Sequence, residues 1–320
     1  MILGERATGH QWGSLPRTPV VWRAARDALR AAGIRVRMAT KTAIVTGSNT
    51  GIGKATALGL AKQGFQVVLA VRDTAKGDAA RAEIVAQSGS DGVVVMPLDL
   101  GDFASIRAFA AAFVGRFQRL DVLVNNAGVT ARKRTTTKDG LETTFGVNHV
   151  GTALLTRELL PVLERSAPAR IVVVSSGLHY RGKMAWDDPQ QTRGPFRGLF
   201  AYNQSKLANV LFTKALARRL QGKGVTVNAL HPGVVATELT REYPKAIAAL
   251  FKLFLISPER GAECSLYVAT SPDLAETTGA YFEKSRAKPA SRDARDEAQQ
   301  ERLWQLTEEI IANPSQRRAA

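Results

Sequence analysis

The chain has a single cysteine, Cys264, in 320 residues, so no disulfide can form within it. That suits a reducing compartment and sets the expectation of a cytoplasmic protein. No apolar run approaches the roughly 20 residues that a membrane-spanning helix needs. Acidic residues are scarce beside basic ones: 28 Asp and Glu face 44 Lys and Arg, a net charge of +16. Yet no dense Lys/Arg block is interleaved with aromatics, which argues against a nucleic-acid platform. The positive balance fits solubility and attraction of anionic ligands such as a phosphorylated dinucleotide. Internal repeats, low-complexity segments and metal-ligand clusters are also missing. What is present is ordinary for a globular protein: 45% hydrophobic residues, enough for a sizeable core.

Residues 1–40 do not read as part of the fold. Up to residue 37 they carry seven Arg against Glu5 and Asp27, mixed with Gly, Pro and Trp, with one short amphipathic stretch near Val20–Arg35. Three readings compete: a start set too early, with Met38 the true one; an Arg-rich targeting peptide; or a basic arm. The first is preferred, because a strand follows Met38 directly. From residue 42 onward strand and helix patterns alternate. Apolar strand runs fall at 42–46, 66–71, 93–97, 122–125, 170–175, 226–231 and 280–282. Helical patterns fall at 53–63, 74–87, 105–117, 140–165, 202–221 and 260–270. The strands are short and apolar on both faces, as in a parallel sheet covered by helices. This predicts an α/β fold: one Rossmann-type, doubly wound parallel sheet of about seven strands spanning 41–284, with helices on both faces. Residues 285–320 read as a C-terminal tail with one helix near 298–312.

The first strand runs into Thr46-Gly47-Ser48-Asn49-Thr50-Gly51-Ile52-Gly53-Lys54. The glycine spacing is G-x-x-x-G-x-G, not G-x-G-x-x-G, but the physical demand is similar. Gly47 lets the chain turn tightly off the strand. Gly51 and Gly53 let backbone approach a pyrophosphate and let the helix pack against the sheet. The helix amino terminus then offers N–H groups and a positive dipole end. A plain strand–helix turn is the competing reading; the position between first strand and first helix favours phosphate. The second strand ends at Arg72, where an acidic residue would hold a ribose 2′-hydroxyl and select NAD(H). An arginine can instead pair with a 2′-phosphate, so NADP(H) is expected, although Asp73 follows immediately. Lys54 could add charge nearby.

Tyr202 and Lys206 stand at i and i+4 and share a helix face. A free phenol has a pKa of about 10, and a nearby ammonium stabilises the phenolate. Tyr202 can then give a proton to a carbonyl oxygen or take one from an alcohol. A Tyr-x-x-x-Lys pair arises by chance roughly once in five such chains, so its company decides the matter. Ser175 and Ser176 end the fifth strand, at the carboxyl edge where such sheets bind ligands. A serine there can hold a substrate oxygen, or simply form a strand-end turn. Asn125-Asn126-Ala127-Gly128 end the fourth strand as a tight wall of small residues beside a cofactor. Asn148 lies within a helical pattern, where asparagine is a poor former; a water-mediated proton relay and a polar helix contact both explain it. Asp99-Leu100 follow the third strand, where the aspartate could meet an adenine amino group.

Taken in order, Thr46-Gly47-x-x-x-Gly51-Ile52-Gly53, Asn125-Asn126-Ala127-Gly128, Asn148, Ser176, Tyr202-x-x-x-Lys206 and Pro232-Gly233-x-Val235-x-Thr237 resemble the short-chain dehydrogenase/reductase family, in its single-domain branch. The likeness covers about 42–282, with a weaker match near Leu303-Trp304. Arg72-Asp73, Val147-Asn148-His149, Ser205-Lys206-Leu207-Ala208-Asn209 and His231-Pro232-Gly233 look like the retinol-dehydrogenase and WW-domain-oxidoreductase-like group. The resemblance implies a catalytic tetrad of Asn148, Ser176, Tyr202 and Lys206. It implies that Lys206 also holds the nicotinamide ribose, and that Val235 and Thr237 meet the nicotinamide amide. It implies carbonyl reductase or alcohol dehydrogenase chemistry, and a homodimer paired through the helix carrying Tyr202.

On the substrate side, 184–199 forms an excursion between Ser176 and Tyr202, and 238–257 contains the apolar stretch 246–255. Both are expected at the active-site edge. The second is a core-packed helix, a lid over an apolar substrate, or a shallow membrane contact. A non-catalytic NADP-binding regulator or scaffold is the alternative to an enzyme. The four intact catalytic positions speak against it.

Overall fold

The computed structural model describes residues 40–233 and 256–313. The sequence readings on 1–39, on Val235 and Thr237, and on the apolar stretch 246–255 lie outside the described residues.

The order of elements is β1 (Thr42–Thr46), α1 (Gly51–Lys62), β2 (Gln66–Val71), α2 (Thr74–Ser88), β3 (Val93–Pro97), α3 (Phe103–Arg116) and β4 (Val122–Asn125). A helical run then begins at Thr143–Phe145, passes through a π-helical segment at Gly146–Gly151 and continues as α4 (Thr152–Arg165). β5 (Ala169–Val174), a 3-10 turn (Gly177–Arg181), α5 (Gly198–Arg219), β6 (Val225–His231), α6 (Pro258–Thr270), β7 (Tyr281–Glu283), β8 (Arg286–Lys288) and α7 (Glu297–Ala312) complete it.

The strands form one sheet in the order β3-β2-β1-β4-β5-β6-β7-β8. All neighbours from β3 to β7 are parallel, with Ile44 paired to Val68 on one side and Leu123 on the other. β8 is antiparallel to β7. The expected doubly wound sheet is present, with an eighth strand added. That strand was invisible to an apolar-pattern reading because Arg286-Ala287-Lys288 is exposed throughout. It is made by a tight hairpin in which Lys284 and Ser285 both take positive φ, 50° and 57°. Its charge suits an edge strand that must not recruit another chain.

Alternate strand residues feed two cores. Ile44, Leu123, Ile171 and Val173 pack toward α3, α4, α5 and α7 with Phe113, Leu155 and Leu211. Val45, Val124, Val172 and Leu69 pack toward α1, α2 and α6 with Leu60, Ile84 and Val268. Strand order reverses between β1 and β4, so a crevice opens at their carboxyl ends, the place where such sheets take ligands.

Helix α7 lies on α5. Trp304 stacks on Phe212 at 5.8 Å with planes 6° apart, and the Arg219 guanidinium sits 4.1 Å from the Trp304 ring centroid while pairing with Glu301. Arg157 of α4 pairs with Glu308 at 2.9 Å. Part of the outer surface of α5, the helix that carries Tyr202, is therefore covered by the chain's own C-terminal helix.

Candidate active site

The turn after β1 is held by backbone. The Gly47 N–H donates to the Ala70 carbonyl at 2.9 Å, and the Ser48 hydroxyl donates to the Val45 carbonyl at 2.8 Å. Gly47 and Gly51 take positive φ, 64° and 57°. Gly53 has a different reason: a Cβ there would stand 2.4 Å from the Gly47 carbonyl oxygen and 2.5 Å from Asn126 Nδ2. Its room is filled by the turn and by the end of β4, so it serves close helix–sheet packing. Beside Gly51 there is open space. Thr50 caps α1 without a side-chain hydrogen bond, and no acid occupies the first turn. Asn49, Thr50 and Ile52 thus belong to a turn whose helix end presents backbone donors and its positive dipole pole.

Thr46, which sequence reasoning used only as part of the pattern, ties this turn to β4. Its Oγ1 accepts from the Asn126 N–H at 3.0 Å and the Ala127 N–H at 2.9 Å. Asn126 Nδ2 donates back to the Thr46 carbonyl at 2.9 Å. A hydroxyl directly before the first glycine was the signal for this. Gly128 continues the wall: a Cβ there would lie 3.3 Å from Lys206 Nζ and 3.5 Å from Asn148 Oδ1.

At the end of β2, Asp73 Oδ1 accepts from the Lys76 N–H at 3.1 Å, capping α2, and its carboxylate pairs with Lys76 Nζ at 3.0 Å. Arg72 is exposed and, among the described residues, has no ion-pair partner. Lys54 pairs with Glu83 at 2.7 Å. After β3, half-buried Asp99 accepts from the Gly101 N–H at 2.9 Å through Oδ1. The Leu100 side chain is buried in the core, and its carbonyl abuts Gly151.

The predicted tetrad gathers between β5, the π-helical segment and α5. Ser175 points inward and donates to the Lys206 carbonyl at 2.7 Å. Ser176 accepts from the Leu178 N–H at 3.2 Å, and its side chain neighbours the Tyr202 phenol. Of the two serines, Ser176 is the one that acts on the tyrosine. Lys206 Nζ is 5.5 Å from the Tyr202 ring centroid and donates to the Val174 carbonyl at 3.1 Å. Burial lowers the lysine pKa from 10.5 to about 8. Burial also raises the Tyr202 pKa above 10, and the Ser176 hydrogen bond opposes the rise. The sequence-based expectation is a phenol drawn toward neutrality by Lys206; burial moves it the other way.

Asn148 is wholly buried. Its Nδ2 donates to the Val129 carbonyl at 2.9 Å and to Ser205 Oγ at 3.0 Å, and its Oδ1 accepts from the Val129 N–H at 2.7 Å. It clamps the loop after β4 onto α5, a polar helix contact. It lies within the π-helical segment, a distortion often found at functional sites. Pro232 and Gly233 follow β6, with Gly233 at φ 98°.

A dinucleotide fits these residues: the glycine cradle has no room for a Cβ at Gly53 yet is open at Gly51, and Lys206 and Asn148 border Gly128 further along the same edge. Among the described residues no helix is long and apolar enough to cross a membrane.

Known proteins agree with this architecture. Residues 41–248 match the family model for short chain dehydrogenases. Retinol dehydrogenase 13 of Homo sapiens is 45% identical over 279 residues, covering 85% of this chain and 84% of that protein. Retinol dehydrogenase 12 of Mus musculus is 46% identical over 278 residues, covering 86% and 88%. An uncharacterized protein from Mycobacterium Paratuberculosis superposes with a TM-score of 0.70 at 35% identity, covering 86% of this chain and 94% of that one. The RhlG/NADP active-site complex of Pseudomonas aeruginosa superposes at 0.62 with 28% identity, covering 77% and 94%. With its sheet order, its glycine turn and relatives of this identity and coverage, the chain belongs to the short chain dehydrogenase family of oxidoreductases.

Proposed function

We propose that this chain is an NADP(H)-dependent oxidoreductase that interconverts the carbonyl and alcohol forms of a small apolar substrate, of the retinoid, steroid or lipid-aldehyde kind. The observation that carries this is Tyr202, beside Ser176 and with the buried Lys206 Nζ 5.5 Å from its ring centroid, at the carboxyl edge of the sheet. The retinol dehydrogenases among its relatives support the substrate class. Exposed Arg72, with Asp73 committed to a helix cap, supports the 2′-phosphate and hence NADP(H) over NAD(H).

Gly47 to Gly53 would hold the pyrophosphate, Asp99 the adenine, Asn126 to Gly128 the wall along the dinucleotide, Lys206 the nicotinamide ribose, and Pro232 to Thr237 the amide end. The bound nicotinamide supplies or accepts the hydride. In the reducing direction the Ser176 hydroxyl holds the carbonyl oxygen. Tyr202, kept protonated by burial, gives that oxygen its proton as the carbon gains the hydride. The phenolate left behind is steadied by the Lys206 ammonium until solvent returns a proton. Asn148 keeps Val129 and α5 in register; its part in a proton relay belongs to the same proposal. NADP(H) preference favours reduction in a reducing compartment such as the cytoplasm. A homodimer through α5 would have to form around α7, which rests on that helix.

Tyr202→Phe tests the reading. Turnover of NADPH with a panel of aldehydes, ketones and retinoids should vanish, while fluorescence titration shows unchanged NADPH affinity. Retained turnover refutes Tyr202 as the acid. Binding without turnover of any carbonyl by the unmutated protein makes it an NADP-binding regulator instead.

A further inference from the structure

Behind Ser176 lies a wholly buried imidazole, His179, that the proposed mechanism does not use. It sits in the 3-10 turn that starts at Gly177. The Ser291 N–H donates to His179 Nε2 at 3.2 Å. Nε2 therefore carries the lone pair, and the ring hydrogen is on Nδ1. Nδ1 is 2.8 Å from the Ser176 carbonyl oxygen, to which it donates. The ring is fixed between aromatics, with centroids 4.0 Å from Tyr180 and 4.4 Å from Tyr281.

Two further contacts join the same segments. The Tyr180 hydroxyl donates to the Pro289 carbonyl at 2.8 Å, and Lys183 pairs with Asp293 at 2.8 Å. Ala290 and Ala294 are buried beneath them. Residues 289–295 thus strap the turn that carries Ser176, and one imidazole bridges strap and serine.

We propose that His179 is a positioning residue for Ser176, locking its main chain to the 289–295 strap so that its hydroxyl keeps its place beside Tyr202. This rests on the functional reading given above. The logic is geometric. Ser176 adjoins the carboxyl end of β5, and its Oγ already accepts from the Leu178 N–H. The backbone carbonyl is a handle by which the residue can be held without occupying the hydroxyl. The Ser176 carbonyl also accepts the His179 N–H at 3.1 Å within the 3-10 turn, so without the imidazole it keeps one donor but loses its tie to the strap, and the turn is then free to shift against 289–295.

The experiment uses the full-length protein and a carbonyl compound that it turns over. His179→Phe keeps the aromatic packing and removes both polar contacts. It should lower kcat by roughly 10- to 100-fold, because small misplacements of a catalytic group cost that much. NADPH affinity and Tm should stay close to those of the unmutated protein. His179→Asn and His179→Leu have nearly the same shape, and only the amide can donate to the Ser176 carbonyl. Asparagine should restore most of kcat and leucine should not. This pair keeps the test decisive where the phenylalanine variant fails to fold. Equal kcat in the Asn and Leu variants, or unchanged kcat in a folded Phe variant, overturns the proposal. Hydrogen exchange supplies a readout without activity: amides of 177–182 and 289–295 should lose protection together in the Leu variant. If the unmutated protein turns over no carbonyl, the functional reading fails, and unchanged exchange in both segments separately refutes the clamp.

Discussion

Lys206 carries an unusual burden, and replacing it should stabilise the protein while disabling it. The residue is 4% exposed, and its ammonium pairs with no carboxylate among the described residues and donates to the Val174 carbonyl. Burial lowers its pKa from 10.5 to about 8. At about 1.36 kcal/mol per pH unit, that interval amounts to roughly 3 kcal/mol of cost to the folded state near neutral pH. The sign follows from proton binding. The folded protein binds the lysine proton more weakly than the unfolded chain. Its stability therefore rises with pH between about 8 and 10.5, and the cost is fully present below that window.

Lys206→Met keeps the length of the side chain and removes the charge. It also strips the Val174 carbonyl of a donor, which costs about 1–3 kcal/mol. The net expectation is a gain of roughly 1–2 kcal/mol in ligand-free protein at neutral pH, turning to a small loss above about pH 10. Urea unfolding of both proteins at the two pH values reads this directly. Turnover should fall by about 10²- to 10⁴-fold, the range of general acid–base assistance. A variant destabilised equally at both pH values would refute the idea that Lys206 is a strained, buried cation.

Three further outcomes follow from the geometry. Arg72→Asp should raise the KM for NADPH by about 10- to 100-fold, the weight of a charge-assisted pair, and leave that for NADH nearly unchanged; equal effects on both would remove Arg72 from cofactor choice. Gly53→Ala forces a methyl group into the Gly47 carbonyl and Asn126, where neither backbone nor wall can yield, so NADPH affinity measured by titration should collapse and Tm should fall. Trp304→Ala removes the plate stacked on Phe212 and under Arg219, for an expected loss of roughly 2–4 kcal/mol by denaturant unfolding; a smaller effect would mean α7 adds little to the fold.

Much of this architecture is local and therefore legible in the chain. The β1 to β4 strands fall where apolar runs bounded by turn residues place them, because doubly buried strands need such runs. Gly47, with its positive φ, and the Tyr202–Lys206 spacing are likewise local demands of a turn and a helix. β7 lies where the apolar run at 280–282 places it, while β8 escaped notice because charge, not apolar residues, marks an edge. The helix expected over 140–165 starts instead at Thr143, and its π-helical segment could not be read from propensity. Within it Asn148 bonds Val129 and Ser205, which are far away in sequence.

The sequence alone determined the order of strands and helices, the turn that needs glycine and the pair of side chains one helical turn apart, since each depends on residues within a few positions of one another. Only the tertiary structure decided that Asp73 is held by a helix cap, and that His179, bonded to Ser176, meets Ser291 across 112 residues. It also decided the direction of the Tyr202 and Lys206 pKa shifts. Burial and long-range hydrogen bonds are properties of the packed whole, and no window of the chain contains them.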